Sequence, residues 1–333
     1  MGARMQREIE LDQKTERRIA EAPEYVKAFF YWMNGKSPTT KEKYIVYTLQ
    51  FVEFCKKKLN NDMLQDDDLK KISLGILNNY VHSISTREQK GVMVRNEPAS
   101  INQKICAIST FFGFLKKQGI VEQNLCEMLD RPTIPEKDEI IYLTKEEVSA
   151  VLKNIEENGT DPWKVRDRLI FSFLVVTGIR VSALLDMDLE DIDFVERSFK
   201  VIEKENKHRK FIFPDELFDI FITWMAEREK IVSKYENRTN AIFIGEHHGN
   251  CKRLSVNGIN YIIKSYTSFL NKKISAHKLR ATMATNLLEE VNDVGLVADI
   301  LGHKSPETTK RYARSSEKKK NEALKRMSIY MGV

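Results

Sequence analysis

Apolar residues between positions 22 and 130 recur at the spacing of helix faces. Five of them from Ile101 to Leu115 stand four, three, four and three positions apart, the period of one α-helical face. A hydroxyl cap at Ser37 and a proline at Pro38 predict the start of another helix, which continues through 41–58. A polar, glycine-containing stretch at 86–98 predicts a loop. The pattern therefore predicts an all-helical domain over 22–130. The polar segment at 1–21 before it is expected to be a flexible tail, with a short lead-in helix as the alternative.

Residues 139–333 mix helical and strand patterns. Alternating segments at 191–194, 199–203 and 209–213, separated by polar turns, predict a three-stranded antiparallel sheet. Residues 169–176 are apolar all round, which predicts a buried helix, and further helices are predicted at 277–290 and 294–301. Two prolines at 132 and 135 favour an extended linker over 131–138. The expected fold class is mostly α with a small antiparallel β-sheet: a helical first domain and an α+β second domain.

Composition excludes several classes of protein. The 54 basic residues exceed the 48 acidic ones by six, a surplus that permits a nucleic-acid partner without establishing one. No apolar run reaches the roughly 18 residues that span a bilayer, and the first residues lack the apolar core of a secretory signal. The four cysteines are far apart and none forms a C-x-x-C pair. Zinc sites and disulfide frameworks are therefore not expected, and a reduced, cytoplasmic location is.

Residues suited to chemistry concentrate in three segments of the second half. Arg180 follows a glycine at the end of the buried helix, where a charge needs a carboxylate or a ligand anion as its partner. His277 and Arg280 are three positions apart and so share one helix face. His303 follows a glycine, and Tyr312 comes nine residues later. Each of these residues alone has an ordinary structural interpretation.

Together they form a set able to perform phosphoryl transfer. Two arginines can hold a phosphodiester by paired hydrogen bonds and stabilise charge that builds on phosphorus. Two histidines can donate hydrogen bonds or move protons, and a tyrosine hydroxyl can attack phosphorus. No acidic or Cys/His cluster with metal-ligand spacing accompanies them, which disfavours a two-metal nuclease. Neither a metal nor a cofactor is expected.

The ordered set of Arg180, His277-Lys278-Leu279-Arg280, Leu301-Gly302-His303 and Tyr312 resembles the tyrosine recombinase (phage integrase) family, in its simple two-domain Xer/Cre-like type. The resemblance implies a SAM-like core-binding domain over 22–130 and a catalytic domain over 139–333. It implies that Tyr312 is the nucleophile of a 3′-phosphotyrosyl intermediate and that the two arginines hold the scissile phosphate. His277 would accept the tyrosine proton, and His303 would support the transition state.

The family also carries a lysine on the turn between the second and third strands, as general acid for the leaving 5′-oxygen. Lys204 matches this position best, and Lys207 is the alternative. Glu203 and Glu205 stand beside Lys204 where the family often has glycines, so the choice between the two lysines stays open. Ala281 follows Arg280 where histidine is common, a position to which no chemical role is assigned.

DNA contact and assembly are expectations from the same resemblance. The helices starting near Pro38 and Ser100 would approach the major groove, with most contacts made to phosphate. Residues 317–331 have an amphipathic pattern and would dock onto a neighbouring protomer of a homotetramer on DNA, the free protein being a monomer. The candidate DNA-binding residues are Lys41, Lys43, Arg95, Lys104, Lys116, Lys117, Arg131 and Lys207.

The expected function is site-specific DNA recombination, in integration, excision or resolution, without metal or ATP. Only about 20 polar residues precede the first helical domain, so no separate arm-binding domain is expected. One alternative is a type IB-like topoisomerase that relaxes DNA as a monomer. The other is a DNA-binding regulator without catalysis, which the complete set of candidate catalytic residues disfavours. The target DNA sequence is not predicted.

Overall fold

A computed structural model of the protein describes residues 2–135, 140–202, 208–236, 238–302, 309 and 312. The chain divides into two compact units, Met1–Glu136 and Lys137–Val333. The division lies within the 131–138 segment that carries the two prolines. Each unit has its own buried apolar core.

The first unit is built mainly of helices, and its core is rich in phenylalanine. Phe29, Phe51 and Phe111 are fully buried there. Its elements in chain order are α1 (Ala3–Ile19), α2 (Glu24–Trp32), α3 (Pro38–Leu59), α4 (Asp66–Lys70), α5 (Leu74–Ser83), β1 (Thr86–Gln89), β2 (Val92–Arg95), α6 (Pro98–Lys117) and a 3-10 turn (Leu125–Met128).

The two long helices of this unit follow their sequence signals. The Ser37 hydroxyl accepts a hydrogen bond from the Thr40 N–H, and Pro38 opens α3. Pro98 opens α6, and the apolar face from Ile101 to Leu115 is buried. Helices α3 and α6 pack against each other, so their apolar stripes form the centre of the unit.

The N-terminal segment is a helix, which was the alternative for 1–21, and not the expected flexible tail. Helix α1 packs on α3 although it buries only Thr15 and Ile19. Polar contacts complete the interface: the Lys41 ammonium lies 3.0 Å from the Asp12 carboxylate, and a further ion pair joins Lys14 to Glu42 at 3.1 Å. These partners lie about 28 positions apart in the chain, so the local apolar pattern does not reveal the interface.

A β-hairpin replaces the loop expected at 86–98, so the first unit is not entirely helical. Strands β1 and β2 pair antiparallel with Gln89 opposite Val92. Lys90 and Gly91 form the two-residue turn, with φ of 52° and 78°. Positive φ at both positions matches the twist of a tight hairpin. Lysine is an uncommon residue at the first of these positions, which is why the turn is hard to recognise in the sequence.

The second unit combines helices with two small sheets. Its elements in chain order are α7 (Lys145–Asn158), α8 (Trp163–Thr177), α9 (Val181–Asp186), a 3-10 turn (Leu189–Asp191), β3 (Ile192–Asp193), β4 (Ser198–Ile202), β5 (His208–Ile212), α10 (Asp215–Val232), β6 (Ile244–His247), β7 (Asn250–Arg253), α11 (Val256–Thr267), α12 (Ala276–Val291) and α13 (Val294–Leu301).

The predicted three-stranded antiparallel sheet is confirmed, in the order β3-β4-β5. Phe199 of β4 is fully buried and contacts Phe173 of α8, with ring centroids 4.8 Å apart, so the sheet rests on the buried helix. Strands β6 and β7 form an unpredicted hairpin around His248 and Gly249, both at positive φ. The fold class, mostly helical with small antiparallel sheets, is confirmed. Within the described ranges, no helix is both long enough and apolar enough to cross a membrane.

Candidate active site

The turn that carries Arg180 depends on a glycine. Helix α8 ends at Gly178, whose φ of +61° lies in the left-handed region that favours glycine. A Cβ at this position would lie 3.0 Å from side-chain atoms of Leu301 and Met283. Gly178 therefore lets the chain turn while packing against α12 and the end of α13. Arg180 follows as the N-cap residue of α9 and is half-buried.

Helix α12 carries His277 and Arg280 into different environments. It begins after Ser275, and His277 lies exposed in its first turn. Arg280, one turn later, is only 3% exposed. A buried guanidinium needs acceptors on its N–H groups, because an uncompensated buried charge is costly.

Main-chain carbonyls from two distant turns supply acceptors for Arg280. Its Nη1 donates to the Gly178 carbonyl at 2.5 Å, and its Nη2 donates to the Leu301 carbonyl at 2.6 Å. The side chain thereby joins the turn of Arg180 to the C-terminal end of α13. Guanidinium has five N–H donors in one plane, so these two bonds fix the plane of the group.

Helix α13 ends where the sequence places the next candidate residue. Gly302 adopts a left-handed φ of 64° and its N–H donates to the Asp299 carbonyl. Nη2 of Arg209, on β5, donates to the carbonyls of Asp299 and Ile300, at 3.2 and 2.6 Å. Arg209 was not among the predicted site residues, because a pairing across 90 positions leaves no local signal.

Tyr312 packs against the helices that hold the other residues. It is 8% exposed and belongs to one apolar cluster with Ala281 and Met283 of α12 and with Val297 and Leu301 of α13. The residue after Arg280 is thus a small core residue here, which leaves room for close packing. Thr309, three positions before Tyr312, is fully buried.

Arg180, Arg280 and Tyr312 therefore all lie where the Gly178 turn, α12 and the end of α13 pack together. His277 lies at the start of α12. His303, Lys204 and Lys207 lie outside the described residues, as does the segment 317–331. The two strands that flank Lys204 and Lys207 in the sequence are described: β4 ends at Ile202, and β5 begins at His208.

A separate basic surface lies on the first unit. Tyr47 of α3 donates from its hydroxyl to the Gln103 side chain of α6 at 3.2 Å, and the Lys104 ammonium lies 5.9 Å from the Tyr47 ring centroid. Partial burial, with a contribution from nearby Arg87, lowers the pKa of Lys104. Lys43 is exposed one turn before Tyr47 on α3. We call Lys43, Tyr47, Arg87, Gln103 and Lys104 the α3–α6 basic face.

Lys41, one of the candidate DNA-binding residues, does not belong to this face. It is 8% exposed, its ammonium pairs with Asp12, and it lies 4.8 Å from the Phe30 ring centroid. It sits on the side of α3 that faces α1. The start of a basic helix was visible in the sequence, but which of its faces α1 covers was not.

The other candidate DNA-binding residues of this unit are exposed. Lys116 and Lys117 are in the last turn of α6, where the helix dipole stabilises positive charge. Lys117 also lies 5.2 Å from the Trp32 ring centroid. Arg131 donates to the sulfur of Cys106, and Arg95 lies exposed on β2. Of these four residues, Arg95 lies beside the α3–α6 basic face, because it pairs with Thr86, the neighbour of Arg87.

Comparison with curated proteins finds relatives that span most of the chain. The tyrosine recombinase XerC of Caldanaerobacter subterraneus subsp. tengcongensis is 28% identical over 312 residues, covering 89% of this chain and 83% of the relative. The tyrosine recombinase XerA of Pyrococcus furiosus is 28% identical over 304 residues, covering 91% and 92%. The XerC of Pediococcus pentosaceus is 30% identical over 68% of this chain and 75% of its own.

Solved structures share the fold. XerH recombinase bound to its difH substrate superposes with a TM-score of 0.64 at 21% identity, covering 86% of this chain and 80% of that chain. A lambda integrase dimer bound to a core site superposes with a TM-score of 0.62 at 15% identity, covering 88% and 94%. The phage integrase family profile matches residues 142–319, more than half of the chain. The chain therefore belongs to the phage integrase family and is a tyrosine recombinase.

Proposed function

We propose that this recombinase cleaves and rejoins DNA at a specific site through a covalent bond between Tyr312 and a 3′-phosphate. The Tyr312 oxygen attacks phosphorus, the bond from phosphorus to the 5′-oxygen breaks, and a 5′-hydroxyl is released. Because the ester conserves the energy of the broken phosphodiester, a second 5′-hydroxyl can reverse the step without ATP. The proposed reaction uses no metal.

The arginines stabilise the charge that develops on the phosphate. Arg180 and Arg280 donate to its non-bridging oxygens, and such donors act most strongly where water is excluded. The five donors of a guanidinium allow Arg280 to hold two carbonyls and to contact a phosphate oxygen as well. His277 accepts the tyrosine proton and His303 supports the transition state. Lys204, or Lys207 in its place, protonates the leaving 5′-oxygen.

The observation that carries this proposal is the position of Arg280. One buried guanidinium binds the carbonyl two residues before Arg180 and the carbonyl two residues before His303. Arg180 and Arg280, 100 positions apart in the chain, are therefore linked through this one side chain, which also binds the last carbonyl of α13. Such convergence is expected of a site that must hold its groups in reactive geometry.

The proposed substrate is a double-stranded recombination site, bound in part by the α3–α6 basic face. Exchange of strands between two duplexes requires several active sites, so we propose a homotetramer on DNA, formed from monomers through residues 317–331. The relatives named XerC and XerA and the family assignment support this reading over a monomeric relaxing topoisomerase.

A nicked suicide substrate tests the chemistry. Binding sites are first selected from a random duplex pool with the Tyr312→Phe chain, which lacks the nucleophile. The selected duplexes are then nicked so that the short cleaved strand diffuses away and the covalent complex persists. The wild-type chain should accumulate a protein–DNA adduct that survives denaturing electrophoresis. Tyr312→Phe should bind the same duplex and give no adduct.

A further inference from the structure

We propose that Arg209 is a positioning residue, which holds the β4–β5 hairpin against the end of α13 and so sets where the general acid meets the leaving group. This inference rests on the proposed function. Arg209 is not part of the set of Arg180, His277, Arg280, His303 and Tyr312.

Arg209 is fixed from two sides. Its guanidinium carbon lies 4.6 Å from the centroid of the Phe211 ring, and Phe211 stacks on Phe199 at 5.2 Å with an interplanar angle of 8°. From the other side, the carbonyls of Asp299 and Ile300 accept hydrogen bonds from Nη2. An arginine stacked on one plane and bonded on its edge has little rotational freedom.

The acceptors of Arg209 are the last carbonyls of a helix. Carbonyls in the last turn of a helix have no helical N–H four residues further along to bind, and they carry the negative end of the helix dipole, so a cation beside them is favourable. The Asp299 carbonyl also accepts a hydrogen bond from the Gly302 N–H. Arg209 binds two of these carbonyls, at Asp299 and Ile300, and Arg280 binds the next one, at Leu301. Two arginines from different elements thus hold three consecutive carbonyls directly before Gly302 and His303.

The position of Arg209 on its strand connects this helix end to the general acid. Ile202 and His208 form the last described pair of the hairpin, and Arg209 is the next residue on β5. The five residues between that pair include Lys204 and Lys207. One side chain therefore ties the base of the lysine-bearing hairpin to α13, as Arg280 ties the turn of Arg180 to it.

A sulfur-substituted substrate separates positioning from mere stabilisation of the fold. In DNA with sulfur in place of the 5′-oxygen at the scissile bond, the leaving group departs as a thiolate and needs no proton. The Tyr312 attack and the charge on phosphorus are otherwise unchanged. A defect confined to proton delivery is rescued by this substrate, whereas a defect in the nucleophile or the arginines is not.

For ordinary DNA, Arg209→Met should slow single-turnover cleavage by on the order of 100-fold, the size of effect that small misplacement of a reacting group produces. With the sulfur-substituted DNA its rate should return to within about tenfold of the wild-type rate. Arg209→Lys keeps the charge but cannot bind two carbonyls while stacking on Phe211, so its defect and its rescue should be intermediate. DNA affinity and melting temperature are measured for each variant.

Lys210→Ala is the matched control. Lys210 is the next residue on the same strand, its side chain is exposed where Arg209 is half-buried, and its removal also deletes one positive charge. It should cleave both substrates as the wild type does.

The inference is overturned if Arg209→Met and Arg209→Lys cleave ordinary DNA at the wild-type rate. It is also overturned if these variants cleave the ordinary and the sulfur-substituted DNA with equal loss of rate. If the wild type cleaves neither substrate, the proposed function itself is wrong.

Discussion

At the scale of single residues, Arg280 combines a full charge with almost complete burial. Arginine is seldom buried to this extent unless it is paired, and here two main-chain carbonyls accept its hydrogen bonds. Planar, forked donors suit this arrangement, whereas a lysine ammonium could not span both carbonyls in the same way. The residue therefore serves as a joint between two turns as well as a candidate phosphate ligand.

Gly178, whose carbonyl binds Arg280, has no room for a side chain. Gly178→Ala combines left-handed strain with contacts at 3.0 Å to Leu301 and Met283. We expect it to lower the free energy of unfolding by about 3 kcal/mol. Chemical denaturation followed by tryptophan fluorescence measures this, since Trp163 and Trp224 both lie in the second unit.

Gly258→Ala provides the comparison for that substitution. Gly258 lies in the first turns of α11, and a Cβ there would make ordinary contacts of 3.5 Å to Leu254 and Ser255. Alanine in place of a helical glycine should be neutral or stabilising, by up to about 1 kcal/mol. Equal losses in the two variants would contradict the packing argument for Gly178.

At the scale of elements, arginines bonded to carbonyls connect the parts of the second unit. They join strands, turns and helix ends that lie far apart in the chain, and each is at least half-buried. The contacts are Arg166 to Ile244, Arg209 to Asp299 and Ile300, Arg228 to Thr239 and Ala241, Arg253 to Leu185 and Met187, and Arg280 to Gly178 and Leu301.

One of these arginines belongs to a buried charged network between α8, α11 and β6. The Arg166 guanidinium pairs with the Asp167 carboxylate at 2.7 Å, and the Tyr266 hydroxyl donates to the same carboxylate at 3.2 Å. Burial, together with the charge of Asp167 and its hydrogen bond, raises the pKa of Tyr266 to about 12. The tyrosine therefore stays protonated and remains a donor at neutral pH.

Removing the charge of Asp167 should destabilise the second unit strongly. Asp167→Asn leaves Arg166 buried without its ionic partner, which we expect to cost about 3 kcal/mol. Glu157→Gln removes the same charge from an exposed pair with Lys153 on α7, where a loss of no more than about 0.5 kcal/mol is expected. Urea midpoints of the two variants against the wild type decide this. A loss in Asp167→Asn as small as that in Glu157→Gln would mean that the network contributes little.

Local patterns predicted the elements whose signals are contained within a few turns. The three-stranded sheet alternates at period two, α6 shows a helical stripe, and α3 has both a hydroxyl cap and a proline. Helix α1 was only an alternative to a flexible tail, because ion pairs to α3 take the place of a broad apolar stripe. The two hairpins at 86–95 and 244–253 were missed because lysine and histidine occupy the positive-φ positions of their turns.

In the candidate site, too, the sequence predicted the residues but not the long-range contacts that arrange them. Residue identity and order pointed to Arg180, His277, Arg280, His303 and Tyr312, because few combinations of side chains suit attack on a phosphodiester. The hydrogen bonds of Arg280 could not be predicted from the sequence, since they run from its side chain to backbone carbonyls. A carbonyl is present at every residue and leaves no mark in the sequence. The role of Arg209 was hidden for this reason, whereas the burial of Lys41 was hidden because its partner Asp12 lies 29 positions away.

At the scale of the whole molecule, a net charge of +6 is small for a protein that binds DNA. The basic residues of the first unit show how it can suffice, since the α3–α6 basic face brings together Lys43 of α3, Lys104 of α6 and Arg87 of β1. Phosphate contacts release counterions, so affinity falls as salt concentration rises. The slope of log affinity against log salt concentration is proportional to the number of phosphate contacts.

Lys43→Ala and Lys104→Ala should each reduce the slope of log affinity against log salt by about one. Lys41→Met removes the same charge from the neighbouring turn of α3, but from the side that pairs with Asp12, so it should leave the slope unchanged. Fluorescence anisotropy with a labelled duplex at several salt concentrations gives the three slopes. A reduced slope in Lys41→Met, or unchanged slopes in the other two, would place the DNA elsewhere.

Tyr312 should be the residue that forms the covalent bond to the DNA 3′-phosphate. The adduct trapped on the nicked suicide substrate can be digested with nuclease and protease, and the modified peptide identified by mass spectrometry. We predict a nucleotide attached through phosphate to Tyr312, and no adduct in Tyr312→Phe. A nucleotide on another tyrosine, such as Tyr330, or an adduct that persists in Tyr312→Phe, would contradict the account.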